Sequence, residues 1–200
     1  MSNESAAVFN ERLMYPSYEI IGGEKILAPS ANLFHSDAID ELLVDFRIYF
    51  RQHKNIGYAF GDHVDVHFPD GSIYKPDLVV ITEENKNIMS SNKAMYGAPD
   101  LVVEVLSKST MKRDFTIKKE TYEKFGVKEY WIVDPMMETI EAYILNAGKY
   151  ELDYKYINYD EDDLKELNEE ERTTARFEIS PSIFPELKIK LRDIFSWSYR

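Results

Sequence analysis

The 200-residue sequence contains no cysteine, which excludes disulfide staples and thiolate metal centres and fits a reducing compartment. No stretch approaches about 18 consecutive apolar residues, the length expected of a membrane span. The opening "MSNESAAVFNERLMYPSYE" lacks the basic and apolar regions of a secretory leader. The expectation is a soluble, cytoplasmic protein with no membrane partner. Positive charge is also scarce: 24 basic against 36 acidic residues give a net charge of −12, which disfavours a general polyanion-binding surface. Half of that excess lies in "YDEDDLKELNEEER" (159–172), with eight acids and two bases, read as a solvated acidic insertion. Absent too are a Walker loop, a G-x-G-x-x-G fingerprint and a G-x-S-x-G nucleophile elbow, so nucleotide-cofactor binding and serine hydrolysis have no support.

What is present suffices for a core. The chain is 44% hydrophobic, with 14 tyrosines and 11 phenylalanines, a composition that favours strands and aromatic packing. Residues 1–15 read as a tail and 16–200 as a single domain. "YEIIGGEKIL" predicts a hairpin about Gly22-Gly23. "SDAIDELLVDFRIYFRQH" predicts a helix over 36–53 with Ile39, Leu42, Leu43, Phe46 and Phe50 on one face. Strands follow through "IGYAFGDHVDVHFPDGSIYKPDLVVI", two leading into a third at 77–81, then a polar loop to Ala98. "PDLVVEVLS" reads as a central strand, "STMKRDFTIKKETYEKFGV" as a helix opened by Ser109 or Thr110 and closed by Gly126, and "EYWIVDP" as another strand. A hairpin over "TIEAYIL" and "KYELDYKYI" and a last alternating strand in "PELKIKLRDIF" complete a mixed α/β (α+β) sheet.

The run PDLVV occurs twice, from Pro76 and from Pro99. In the second, residues two apart share a face, so Asp100, Val102, Glu104 and Leu106 point one way and Leu101, Val103 and Val105 the other. An acid inside such a run is costly to bury unless it is paired or bound to a cation. The rival reading is an edge strand with Glu104 in solvent. On the next helix Met111, Phe115, Lys118, Tyr122 and Phe125 form one stripe. Lys118 either snorkels to water or points at Glu104. Two acids and an inward lysine suit metal-assisted hydrolysis of a phosphodiester: a hard cation, Mg²⁺ or Mn²⁺, on carboxylate oxygens, with an ammonium beside them. Asp77, at the mouth of a neighbouring strand, is the second ligand candidate, and Asp100 its rival or a turn cap.

These pieces carry a resemblance. From Gly23 to Phe195, "GGEKILAPSANLFH", "YKPDLVVI", "PDLVVEVLSKST", "DFTIKKETYEKFGVKEYWIVDP" and "FPELKIKLRDIF" resemble the Uma-type putative restriction endonuclease family, within the PD-(D/E)XK nuclease superfamily. The resemblance implies an αβββαβ core with an added N-terminal hairpin and C-terminal strands, a DNA substrate and a Mg²⁺ or Mn²⁺ cofactor. It maps Asp77 to the PD aspartate and Glu104 to the acid of the half-motif. The usual lysine position, two after Glu104, holds Leu106, and the D-x-x-x-K-x-x-x-Y spacing places the lysine at Lys118, flanked by Asp114 and Tyr122. Lys119 and Lys108 are the alternatives. Glu24 and His35 match an acid and a histidine of the family's N-terminal region and are accessory candidates. Replacing Lys118 by Ala is expected to spare folding and metal binding and to slow cleavage.

Two further readings stand beside this one. "HVDVH" places His63, Asp65 and His67 on one strand face, a pattern open to a transition metal and equally to an ordinary half-solvated strand. The scaffold could also serve a catalytically inactive relative, as a nucleic-acid-binding or protein-interaction module. A homodimer would suit cutting of two strands, but no residue demonstrates one.

Overall fold

Gly22 and Gly23 adopt φ of +58° and +84°, the left-handed turn that glycine tolerates without a Cβ penalty. They join strands β1 (Tyr18–Ile21) and β2 (Glu24–Leu27) in the predicted hairpin, with Ile20 opposite Lys25. The computed structural model describes residues 18–27, 32–61, 64–90, 94–107 and 110–195; the expected tail at 1–15 lies outside them. Helix α1 (Leu33–Gln52) begins earlier than the sequence suggested, because the Asn32 side chain accepts from the His35 backbone N–H and caps it. Its predicted face holds: Ile39, Leu42 and Phe46 are buried, with Leu43 and Phe50 packed against them.

The strand-rich block resolves into β3 (Gly57–Gly61), β4 (Asp65–His67), β5 (Ile73–Tyr74) and β6 (Leu78–Thr82), one more strand than the pattern suggested. The polar loop after β6 is also structured, as a 3₁₀ turn at Glu83–Ile88 and strand β7 (Ala94–Tyr96). Strand β8 (Leu101–Val105) follows, then helix α2 over 111–125. That helix is α-helical at Met111–Arg113, π-helical at Asp114–Lys118 and α-helical again at Lys119–Phe125. It ends as predicted on Gly126, whose φ of +87° lets its N–H bond the carbonyls of Tyr122 and Glu123. Strand β9 (Glu129–Asp134) and the hairpin β10 (Thr139–Asn146) and β11 (Lys149–Ile157) come next.

Six strands form the main sheet in the order β11-β10-β9-β8-β6-β3. Only the β8–β9 pair in it is parallel, and the connection between those strands is α2. Reading α1-β3-β6-β8-α2-β9 along the chain gives the αβββαβ core. A second sheet, β2-β1-β5-β4-β7, mixes antiparallel pairs with the parallel pair β4–β7. The two faces of β8 bear out its alternation. Leu101, Val103 and Val105 pack with α1 residues, and Val102 and Leu106 pack with Tyr122, Tyr130 and the second sheet.

Near the end the acidic segment gains secondary structure, and the expected last strand is corrected. The acidic segment carries two short helices, α3 (Glu161–Glu166) and α4 (Glu169–Thr174), each opened by a capping box, from Asp160 and Asn168. Its acids stay in water, since no residue of either helix is buried. "PELKIKLRDIF" forms no long strand. Only Ile189–Lys190 (β13) pairs, with Glu178–Ile179 (β12), before helix α5 (Leu191–Ile194) buries Leu191 and Ile194. No helix among the described residues is long and apolar enough to cross a membrane.

Candidate active site

The two PDLVV segments meet edge to edge. Strands β6 and β8 pair antiparallel with Leu78 opposite Val103, so one step further places Asp77 opposite Glu104. Asp77 Oδ2 accepts the Val105 backbone N–H at 2.7 Å, which pins the aspartate to the strand bearing Glu104. His35 Nε2, from the first turn of α1, approaches the same oxygen at 3.3 Å.

Glu104 is 2% exposed and its oxygens are divided between two partners of α2. Lys118 Nζ donates to Oε2 at 2.9 Å and the Tyr122 hydroxyl donates to Oε1 at 2.6 Å. Lys118 does not snorkel: it is 3% exposed. Its ammonium also faces Glu19 Oε1 at 3.1 Å and Asp114 Oδ1 at 3.4 Å. Asp114, Lys118 and Tyr122, each four residues from the next and so on one side of the helix, are its buried positions here. The predicted stripe is corrected accordingly, because Met111 and Phe115 are exposed.

The electrostatics follow from burial and an excess of acid. Burial would pull the Lys118 ammonium down, but Glu104, then Glu19 and Asp114, outweigh it and hold the lysine charged above its ordinary range. Burial pushes the Glu104 carboxyl well up against the pull of Lys118, with Asp114, Asp77 and Glu19 adding to the rise. Burial raises Asp114 too, against Lys118. Four carboxylates therefore surround one lysine and one histidine, and the cluster lacks positive charge. Asp114 Oδ2 is buried with no hydrogen-bond partner among the described residues. Hard oxygen donors with a deficit of cationic charge are what a divalent ion such as Mg²⁺ fits. The adjacent pair Asp77 and Glu104 would be the holders; among the described residues no group of three or more His, Asp or Glu side chains is placed to hold a metal ion.

The remaining candidates sort by position. Glu24 is exposed on β2. The acid of that hairpin which enters the cluster is Glu19, 3% exposed, whose Oε1 also accepts the Lys75 backbone N–H at 3.1 Å. Sequence reasoning missed Glu19, although it stands in an apolar strand just as Glu104 does. Asp100 is buried at the far end of β8, about 13 Å of strand from Glu104. There it accepts from Thr82 N and Oγ1 at 2.8 and 3.0 Å and pairs with Lys128 at 2.6 Å, the turn-cap reading. Lys119 lies over the Tyr143 ring at 3.3 Å. Lys108 and His63 lie outside the described residues. Of the other "HVDVH" side chains, Asp65 pairs with Lys75 and His67 stacks on Tyr96 at 4.7 Å.

Comparison with known proteins places this arrangement. The profile of the Uma2 family, described as a putative restriction endonuclease, matches residues 11–177. The chain is similar in structure to a putative nuclease belonging to DUF820 from Anabaena variabilis. The TM-score is 0.69 at 22% identity, over 94% of this chain and 97% of that one. No curated protein matches.

Proposed function

We propose that this chain, which belongs to the Uma2 family of putative restriction endonucleases, hydrolyses DNA phosphodiester bonds using Mg²⁺ or Mn²⁺ held by Asp77 and Glu104. The observation that carries the reading is the register of β6 and β8, which sets those two carboxylates opposite each other with Lys118 on the second. A cation held there supplies a water of lowered pKa and offsets charge on the phosphate oxygens.

The side chains divide the remaining work. Asp77 is the more open carboxylate, at 16% side-chain exposure against 3% for Glu104, so substrate and water arrive at Asp77. His35 and the Val105 N–H hold its Oδ2 in place. Tyr122 and Lys118 each fix one oxygen of Glu104, and each oxygen keeps a lone pair for a ligand. Lys118 is too enclosed to touch water in this arrangement. It assists attack as a positioning residue, keeping Glu104 oriented and opposing the rise that burial causes in its pKa. Asp114 and Glu19 hold the lysine in turn.

The test is incubation of supercoiled, linear and single-stranded DNA with the protein in EDTA, Mg²⁺ or Mn²⁺. Nicking that requires the metal and disappears in Asp77→Ala is the expected result. Metal-independent nicking, or nicking retained in Asp77→Ala, would overturn the assignment. Cutting both strands suits a homodimer, which sedimentation of the active protein on duplex DNA would reveal.

A further inference from the structure

The acid cluster poses a problem for any phosphate that approaches it. Lys118 is engaged by three carboxylates and is 3% exposed, so it has no free N–H for a phosphate oxygen. Lys75, two residues before Asp77, is engaged by Asp65. A polyanion reaching Asp77 needs another cation to bind it.

We propose that Arg113 is that cation: the residue that binds the DNA phosphate entering beside Asp77. This rests on the nuclease reading above and adds to it a substrate contact. The first observation is an unsatisfied donor. Arg113 is half-buried, and its Nη1 is enclosed with no hydrogen-bond partner among the described residues. Burying a guanidinium N–H without an acceptor is unfavourable; because the side chain is only half-buried, it can turn outward, where a phosphate would satisfy it, two N–H groups to two oxygens.

The second observation is where α2 puts it. Asp114 and Lys118 both face the cluster. The residue before the first and the residue after the second therefore lie on opposite flanks of the helix, about 100° to either side. Lys119, after Lys118, lies over Tyr143 of β10. The strand order β10-β9-β8-β6 then puts the flank of Arg113 on the other side, toward β6 and Asp77, where the cluster is most open.

Two readouts test this on the full chain. The first is binding and cleavage of a fluorescent DNA duplex by wild type, Arg113→Ala and Arg113→Lys over a salt series. Arg113→Ala is expected to weaken duplex binding about tenfold and to lower the slope of log K against log salt by about one, the loss of one phosphate contact. Arg113→Lys, with charge but no fork, should recover part of the affinity. The second readout is the melting temperature with millimolar inorganic phosphate, which should rise for wild type and stay unchanged for Arg113→Ala. Unaltered affinity and salt slope in an Arg113→Ala protein that cleaves normally would overturn the Arg113 assignment and leave the nuclease reading standing. A phosphate response that depends on Arg113 in a wild type that cuts no DNA and binds neither Mg²⁺ nor Mn²⁺ would do the reverse. A variant that only melts lower, with the same salt slope, would make Arg113 structural and overturn the proposal.

Discussion

Replacing Lys118 by Met keeps most of the side-chain volume and removes the ammonium that three buried carboxylates face at 2.9, 3.1 and 3.4 Å. Deleting one partner of a buried ion pair leaves an uncompensated charge and costs about 3–5 kcal/mol. For a chain of this size about 2–4 °C of melting temperature accompanies each kcal/mol, so a fall of roughly 6–20 °C is expected. This replaces the sequence-based expectation that Lys118→Ala spares folding, which did not count three buried carboxylates around the ammonium. The penalty should depend on pH. Glu104 and Asp114 already bind protons above the ordinary carboxylate range, and losing Lys118 raises them further. A carboxyl whose folded pKa is raised stabilises the fold below its unfolded pKa and loses that contribution as pH rises through the folded value. Lys118→Met should therefore sit closest to wild type in mild acid, about pH 5, and furthest from it near pH 8. Mg²⁺ should raise its melting temperature more than that of wild type, because the freed carboxylates offer it oxygens. Thermal melting followed by circular dichroism across that range is the assay. A variant melting within about 2 °C of wild type at every pH would refute the claim that the lysine balances these acids.

Other outcomes follow from single contacts. Tyr122→Phe removes a 2.6 Å bond to the buried Glu104 carboxylate; a stability loss of about 1.5–3 kcal/mol in urea is expected, and no loss would show that another donor replaces the hydroxyl. Burial raises Asp100, but Lys128 and the two Thr82 donors outweigh it and hold the carboxyl below its ordinary range. Its stabilisation is present above the unfolded pKa and fades as pH falls through the folded one, so Asp100→Asn should destabilise near neutral pH and less so in acid. A pH-independent loss would exclude the ionised Asp100 as the cause. A Cβ on Gly57 would sit 2.8 Å from the Ile81 carbonyl oxygen and 2.9 Å from the Phe184 ring. Gly57→Ala should cost about 1–3 kcal/mol through overpacking of β3 on β6, measurable by denaturant unfolding.

Where a segment's own chemistry fixes its structure, the sequence shows it. The Gly22-Gly23 hairpin, the Gly126 stop and the alternation of Leu101–Leu106 are local signals, and so is the order α1-β3-β6-β8-α2-β9. Strands β4, β5 and β7 have only two or three residues. They exist because a partner pairs with them, which no local window reveals. The π turn is equally hidden. Periodicity selected Lys118 and Tyr122 correctly but followed the apolar residues, so it put Met111 and Phe115 on the buried face and passed over Asp114, which is four residues before Lys118 and polar. Asp77 and Glu104 were legible as acids entering or interrupting apolar runs. Glu19 carried the same signal in "YEII", but its meeting with Lys118 depends on how the second sheet folds over α2 and the main sheet. His35 meets Asp77 only because Asn32 starts α1 where it does.

Calorimetric titration of Mg²⁺ and of Mn²⁺ into the wild type, Asp77→Ala and Glu104→Gln tests the central claim most directly, because it needs no recognition sequence in a DNA substrate. The account predicts saturable binding to the wild type that is weakened at least tenfold in each variant. Binding of equal strength in all three proteins, or none to the folded wild type, would contradict it.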